Sequence, residues 1–126
     1  MLFRSRSPRW LRPHTVTIEN ALPEENWESK SSKAELKYVK VEYGRTARFS
    51  DVGRTLSDAV TVIIDANDLV ADKQYVVQDK FTDPETQFTL RAGDKIHYNG
   101  REWEITGVRH INPLRNAPEF IEVKAE

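Results

Sequence analysis

Three histidines, His14, His97 and His110, are the side chains of this sequence with the widest chemical range. A neutral imidazole can bind a metal ion or act as a general base near neutral pH. A metal site needs three or four ligands at characteristic spacings, such as His-x-x-x-His on one helix. The three histidines lie on separate segments, and the chain has no cysteine. The sequence therefore predicts no metal site and no cofactor.

Two neighbouring carboxylates are the second group that could do chemistry, because paired acids can divide acid and base work. Glu102 and Glu104 alternate with Trp103 and Ile105, which places both carboxylates on one face of a strand. On an amphipathic strand this polar face is the solvated one. The sequence also lacks a Gly-x-Ser-x-Gly nucleophile elbow and a Gly-x-x-x-x-Gly-Lys phosphate loop. We therefore expect that the protein is not an enzyme.

The stretch around these acids, residues 93–108, is typical of a β-hairpin. Asn99 and Gly100 form the dipeptide that best tolerates positive φ at both centres of a type I′ turn. Apolar and aromatic residues alternate with polar ones on both sides of this turn. The side chains predicted to build the hairpin scaffold are Ile96, Tyr98, Trp103 and Ile105.

Other short alternating segments predict further strands. They cover residues 14–19, 34–43, 58–65 and 118–124, and residues 74–79 form either a short strand or a helix end. The polar segments 20–33 and 44–57 are predicted as loops. This pattern favours a mainly β protein, a small antiparallel β-barrel or sandwich with a long loop and an extended N-terminal arm. The predicted division is an extended basic arm over residues 1–13 and one β-barrel domain over residues 14–126, with the loop 44–57 inserted in it.

Length and composition limit the class of protein further. A chain of 126 residues corresponds to a single domain that can bury a core without disulfides. Its formal net charge of −1 gives no global attraction to nucleic acid or to a membrane surface. No apolar run is long enough to span a bilayer, and the first residues lack the apolar core of a secretory signal. We expect a soluble intracellular protein with no membrane partner.

The basic residues are concentrated in the N-terminal arm. It holds four arginines and no acid within residues 1–14, and Trp10 lies among them. The arginines are Arg4, Arg6, Arg9 and Arg12. Arginine and tryptophan are favoured anchors of protein interfaces, so the arm could dock on a partner. The other interpretation is that Trp10 packs on its own domain and leaves the arginines in solvent.

The predicted loop 44–57 is the second basic segment. It contains Arg45, Arg48 and Arg54 with Asp51 as the opposing acid, and it also carries Phe49. Loops of this length without secondary structure are commonly functional or disordered. Such a loop could contact a phosphate backbone. It could equally be a solvated surface loop whose Phe49 folds back on the core.

Two segments carry a resemblance to a known family. They are residues 11–18, with the sequence LRPHTVTI, and residues 90–105, with the sequence LRAGDKIHYNGREWEI, which a C-terminal strand follows. Together with the order of the elements, they resemble the minor capsid or head-closure proteins of long-tailed phages and prophages. These are also called head–tail connector or stopper proteins.

The resemblance implies a structural virion protein of the phage neck. Such proteins are small β-barrels that form an oligomeric ring, by resemblance a dodecamer, between the portal or adaptor ring and the tail-terminator or tail proteins. The ring closes the head and retains the packaged DNA, so the expected location is the virion and, during assembly, the host cytoplasm. The resemblance also implies that Arg45, Arg48 and Arg54 lie nearest the DNA in the channel. The segment from Arg4 to Arg12 would dock on the portal or on a neighbouring subunit.

Two other functions remain open from the sequence. One is a tail-terminator or tail-completion ring protein, which shares the general architecture. The other is a free-standing small-barrel module that binds nucleic acid or a peptide, which requires a contiguous basic and aromatic face. Acids spread over the candidate strand faces argue against the module. These acids are Glu102, Glu104, Glu119 and Glu122.

Overall fold

The computed structural model describes residues 7–25, 28–50, 53–111 and 120–126. At positions 25, 28–29, 46–50 and 54–57 it describes the backbone and not the side chains. Nine strands account for most of these residues. They are β1 (His14–Glu25), β2 (Glu28–Ser50), β3 (Gly53–Asp65), β4 (Val70–Ala71), β5 (Gln74–Tyr75), β6 (Gln87–Phe88), β7 (Lys95–Tyr98), β8 (Arg101–Ile111) and β9 (Phe120–Ala125). Short 3-10 helices cover Arg9–Leu11, Ala66–Asp68 and Gln78–Lys80.

Six of the strands close into an antiparallel barrel. Their order is β1-β7-β8-β9-β3-β2, and pairing of β1 with β2 closes the sheet. The short β4 adds to β2 outside this ring, and β5 and β6 form a separate parallel pair. Closure leaves the barrel strands without a free edge along their shared length, which removes a site for unwanted strand addition. The prediction of a small antiparallel β-barrel is confirmed.

The core is the inside of this barrel, and strand alternation fills it. Along β3 the inward residues are Val60, Val62 and Ile64, and Val62 lies opposite Val123 of β9. Full burial of each such side chain contributes roughly 1.5–3 kcal/mol. The complete buried apolar set is Val16, Ile18, Ala34, Leu36, Val39, Val41, Val60, Val62, Ile64, Phe88, Leu90, Ile96, Trp103, Ile105, Ile121, Val123 and Ala125.

The β7–β8 hairpin has the predicted geometry. Asn99 has φ of 53° and Gly100 has φ of 77°, as a type I′ turn requires. Trp103 lies opposite the buried Ile96, and Ile105 is buried as well. The remaining members also fit the prediction: Tyr98 is half-buried, and Glu102 and Glu104 are exposed.

In both segments predicted as loops, the residues that the structure describes lie in strands, so those predictions were wrong. Residues 20–25 extend β1 and residues 28–33 begin β2, with Asn20 opposite Ser32. Residues 44–50 and 53–57 continue β2 and β3. We predicted loops because these segments are polar. A strand that pairs outside the barrel has no core to face, so it can form without alternating apolar residues. Its conformation follows instead from the ladder that begins inside the barrel.

A bulge at Tyr38 changes which side chains of β2 face inward. Tyr38 has φ of 56°, and the register of β1 on β2 shifts at the same place. Before it Leu36 is buried, and after it Val39 is buried, so the inward positions change from even to odd numbers. No helix within the described ranges is long and apolar enough to cross a membrane.

Candidate interaction surfaces

The described part of the N-terminal arm is a short helical turn and not an extended segment. The amides of Leu11 and Arg12 donate to the carbonyls of Pro8 and Arg9, at 3.1 and 2.9 Å. A 3-10 helix has three residues per turn, so Arg9 and Arg12 lie on the same side. Trp10 and Leu11 therefore lie on the other side, where they are 76% and 46% exposed.

Arg12 is the centre of a buried polar cluster that holds this turn on the barrel. Its side chain is 2% exposed, and its Nη2 donates to Asp68 at 2.9 Å and lies 3.8 Å from Asp65. Its Nη1 donates to the carbonyl of Tyr38 at 2.6 Å, so the bulge in β2 has a dedicated donor. Ser7 donates to Asp65 through both its amide and its hydroxyl.

Arg9 completes the cluster from the outside. Its Nε and Nη2 donate to the two carboxylate oxygens of Asp68, both at 2.9 Å, in a bidentate pair. Its guanidinium also stacks on the Tyr38 ring, 4.0 Å from the centroid. We call this group the N-terminal clasp: Ser7, Arg9, Arg12, Tyr38, Asp65 and Asp68.

The clasp shifts the pKa values of two of its own members, Asp68 and Arg9. Hydrogen bonds from Arg9 and then from Arg12 lower the pKa of Asp68 well below its usual range, against the opposing effect of burial. The same contact with Asp68 raises the pKa of Arg9. Asp68 therefore stays ionised wherever the protein is folded near neutral pH.

This arrangement contradicts the interpretation in which Trp10 packs on its own domain and the arginines lie in solvent. The two described arginines pack on the domain, and Trp10 is the side chain left in solvent. Arg4 and Arg6 lie outside the described residues, and a docking role for the arm stays a prediction. The sequence analysis missed Asp65 and Asp68 as partners of the arm. The sequence feature that could have indicated them is an acid at the end of an apolar strand, followed by a second acid three residues later.

The second surface is a β-ribbon that extends beyond the barrel. Seven residue pairs join β2 to β3 here, from Gly44 opposite Ala59 to Ser50 opposite Gly53. The other neighbour of β3 ends earlier, since β9 pairs with β3 only from Val60 onward. We call residues 44–50 and 53–59 the projecting ribbon. The segment predicted as an irregular loop is therefore largely a ladder of paired backbone.

The basic residues of this segment lie on the ribbon. In the backbone ladder Arg48 pairs with Thr55, and Phe49 pairs with Arg54. The structure does not describe the side chains of these four residues. Arg45 is exposed at the root of the ribbon, with its Nε 3.9 Å from Asp58. Arg101 of the β7–β8 turn approaches the same acid at 3.5 Å. Asp58 thus offsets charge at the root.

An aromatic cluster supports the root of the projecting ribbon. The ring of Tyr43 lies 6.1 Å from that of Tyr98 and 6.3 Å from that of Trp103. His14 meets Tyr98 edge to face at 5.6 Å, and the Arg101 guanidinium stacks on Trp103 at 4.2 Å. Trp103 is buried, whereas Tyr43 is 60% exposed. The cluster therefore continues from the core to the surface.

A shallow groove of about 270 Å³ lies beside this cluster. Its walls come from the root of the ribbon and from the end of β9. Gly44 and Ala59 face each other across the ladder there, and a methyl group at Gly44 would meet no atom within 4 Å. The lining residues are Glu42, Tyr43, Gly44, Arg45, Ala59, Val60, Thr61, Thr106, Lys124, Ala125 and Glu126.

The structure does not bring the three histidines together. His14 accepts a hydrogen bond from the amide of Val41 at 3.0 Å, on the side of β2 that faces β1. His97 lies 2.9 Å from Glu19, and His110 lies 3.4 Å from the hydroxyl of Tyr75. No group of three His, Asp or Glu residues in the described ranges is placed to hold a metal ion.

Comparison with known proteins places the chain in a family without giving it an activity. No curated protein matches the sequence. One family model matches residues 11–125, which include the barrel, the projecting ribbon and Arg12 of the clasp. That match spans most of the chain, which therefore belongs to the family of unknown function DUF6751.

Proposed function

We propose that this chain is a structural protein of the phage neck. In this proposal it forms a ring between the portal and the tail, closes the head and retains the packaged DNA. The resemblance of residues 11–18 and 90–105 to head-closure proteins supports the proposal, as does the closed barrel. The projecting ribbon is the observation that carries it.

The ribbon extends well beyond the strands that flank it in the barrel. Seven extended residues per strand reach roughly 20 Å beyond the barrel. A two-stranded hairpin alone is at best marginally stable in water, and among the strands that the structure describes none pairs with either outer edge of this one. A ring supplies what the single chain lacks, because neighbouring subunits can support the ribbons as they extend toward the channel.

The charge of the ribbon suits contact with packaged DNA. The segment 44–58 holds Arg45, Arg48 and Arg54 against Asp51 and Asp58. Arginines bind phosphates without reading the base sequence, which a protein that holds any packaged genome requires. Each subunit then contributes a weak, salt-dependent contact, and the ring adds these contacts together.

The N-terminal arm provides the second contact of the proposed ring. The clasp holds Trp10 outward, and Arg4 and Arg6 precede it in the sequence. This segment would dock on the portal or adaptor ring or on a neighbouring subunit. It has the composition of an interface anchor, a large aromatic side chain among arginines.

Ribbon variants in particles test this function. In the parent genome, residues 45–58 would be replaced by Asn-Gly, which joins Gly44 to Ala59 through a short type I′ turn. Because the barrel ladder of β3 and β9 begins at Val60, we expect this protein to fold. The particles should package DNA and then lose it. Filled, stable and tail-joined particles would contradict the proposal, and so would particles that lack this chain altogether.

A second set of variants separates the charge of the ribbon from its length. Arg45→Gln, Arg48→Gln and Arg54→Gln together keep the ribbon and remove its cations. The matched control replaces three lysines elsewhere, Lys37→Gln, Lys40→Gln and Lys80→Gln. DNA release at high temperature should increase for the arginine variant alone. If the assembled chain is found only on tails without heads, the tail-terminator alternative replaces head closure.

A further inference from the structure

Trp10 and Leu11 form a preformed apolar knob on the surface. They are consecutive and exposed, and on both sides of them an arginine is fixed to the barrel through Asp68. The backbone of the knob is held by the hydrogen bonds of the 3-10 turn. Docking such a knob costs little conformational entropy because the turn is already ordered. Tryptophan is also the residue most enriched at interface hot spots.

The groove beside the ribbon root has the features that would receive this knob. Its lining includes two small residues, Gly44 and Ala59, and the exposed Tyr43. Two acids and two bases line it, Glu42 and Glu126 with Arg45 and Lys124, so no net charge opposes an uncharged aromatic side chain. An indole that enters such a groove can stack on Tyr43, as aromatic pairs prefer.

The knob and the groove of one chain cannot reach each other. The knob is held at Asp65 and Asp68, at the end of β3, whereas the groove begins at Ala59. Six residues of extended strand, roughly 20 Å, separate Asp65 from Ala59. The two surfaces therefore lie at different places on the barrel. A contact between them joins two copies head to tail.

We propose that Trp10 and Leu11 of one copy occupy the groove of the next copy. Because the two surfaces differ, the contact is heterologous and repeats around a closed ring when the rotation permits. The inference rests on the proposed function in that both involve a ring. It goes further by naming the occupant of the groove, a second copy of this chain, and by placing the ribbon root at the subunit boundary.

Engineered cysteines test the contact directly, since the chain has none of its own. One sample mixes Leu11→Cys protein with Ala59→Cys protein under a glutathione redox buffer. The matched control mixes Leu11→Cys with Lys80→Cys, an exposed position on another part of the chain. The docked pair should form its mixed disulfide at least about tenfold faster than the control, because docking raises the effective concentration. Equal rates in the two samples would overturn the proposal, as would faster linkage of Leu11→Cys to itself.

Assembly of the Trp10→Ala, Leu11→Ala double variant gives the second measurement. Light scattering should show oligomers for the wild type and a monomer for the folded double variant. A wild type that stays monomeric at high protein concentration would overturn the inference. Oligomers of unchanged size in the variant would overturn the inference while leaving a neck ring built on other contacts intact. Conversely, head-to-tail oligomers from a chain that is absent from particles would support the contact and reject the neck function.

Discussion

The N-terminal clasp and the projecting ribbon satisfy their polar groups in opposite ways. In the clasp a few side chains exchange many hydrogen bonds, and Arg12 alone reaches Ser7, Tyr38 and Asp68. In the ribbon seven backbone pairs extend outward, and their outer edges have no strand partner within the described chain. The clasp is complete in one copy, whereas the ribbon would gain neighbours only in the assembly that we propose. The comparison assigns stability to the clasp and leaves the ribbon as the region to test for interaction.

The largest expected effect comes from breaking the clasp at its centre. Arg12→Met removes the buried guanidinium, which takes one donor from Asp68, the side-chain donor from the Tyr38 carbonyl and a nearby cation from Asp65. We expect the free energy of unfolding to fall by about 3–5 kcal/mol, as for other buried ion pairs that lose one partner. Urea denaturation measures this loss. A change within about 0.5 kcal/mol would show that the clasp is not a stabilising element.

Asp68→Asn should have the next largest effect and should change the acid response. The folded pKa of Asp68 is lowered, so the unfolded chain takes up this proton first as the pH falls. The contribution of Asp68 is therefore complete above about pH 4 and is lost progressively below it. At pH 7 the variant should lose about 1–3 kcal/mol.

The pH series distinguishes the charge of Asp68 from its packing. The stability gap between the wild type and Asp68→Asn should be constant from neutral pH to about pH 4 and should narrow as the pH falls further, toward pH 3. Asp72→Asn is the matched control, because Asp72 is an exposed acid outside the clasp. A stability gap between the wild type and Asp68→Asn that stays constant down to about pH 3 would contradict the linkage.

Removal of the ribbon should affect the isolated protein far less. With residues 45–58 replaced by Asn-Gly, every core side chain that the structure describes is kept. We expect a change in the free energy of unfolding of less than about 1 kcal/mol, since a two-stranded extension is only marginally stable itself. Thermal unfolding followed by circular dichroism measures it. A cooperative loss of the barrel would show that the ribbon is part of the folding unit.

The smallest effect on the monomer should come from the exposed knob. Trp10→Ala should change the free energy of unfolding by no more than about 0.5 kcal/mol, because the side chain is 76% exposed. Measured beside Arg12→Met, it separates the two sides of the same helical turn. A loss comparable to that of Arg12→Met would mean that Trp10 packs on its own barrel.

The sequence predicted those parts of the fold that are set by local patterns. The Asn99-Gly100 turn, the apolar β3 and the last strand follow from turn chemistry and alternation, which act over a few residues. The strands in the segments 20–33 and 44–57 were not predicted, because pairing with neighbouring strands determines their conformation. The change of the inward positions of β2 from even to odd numbers at Tyr38 was not predicted. It depends on a bulge whose carbonyl is bound by Arg12, which is distant in the sequence.

The candidate interaction surfaces were predicted only in outline. The sequence indicated that Arg9, Trp10 and Arg12 belong to one functional segment. It could not indicate which of them faces the barrel, because their partner Asp68 lies 56 residues beyond Arg12. The groove could not be predicted either, since residues of four strands, β2, β3, β8 and β9, line it together.

The length of β2 has a consequence for the reach of the ribbon. This strand of 23 residues runs without interruption from the β1 hairpin, through the barrel wall, to the ribbon tip. A slip of one residue along it would exchange Val39 with Lys40 on the inner wall and carry the Tyr38 carbonyl away from Arg12. Arg12 therefore contributes, together with the inward apolar residues, to fixing the register of β2, and through it the length of β2 that lies beyond the barrel.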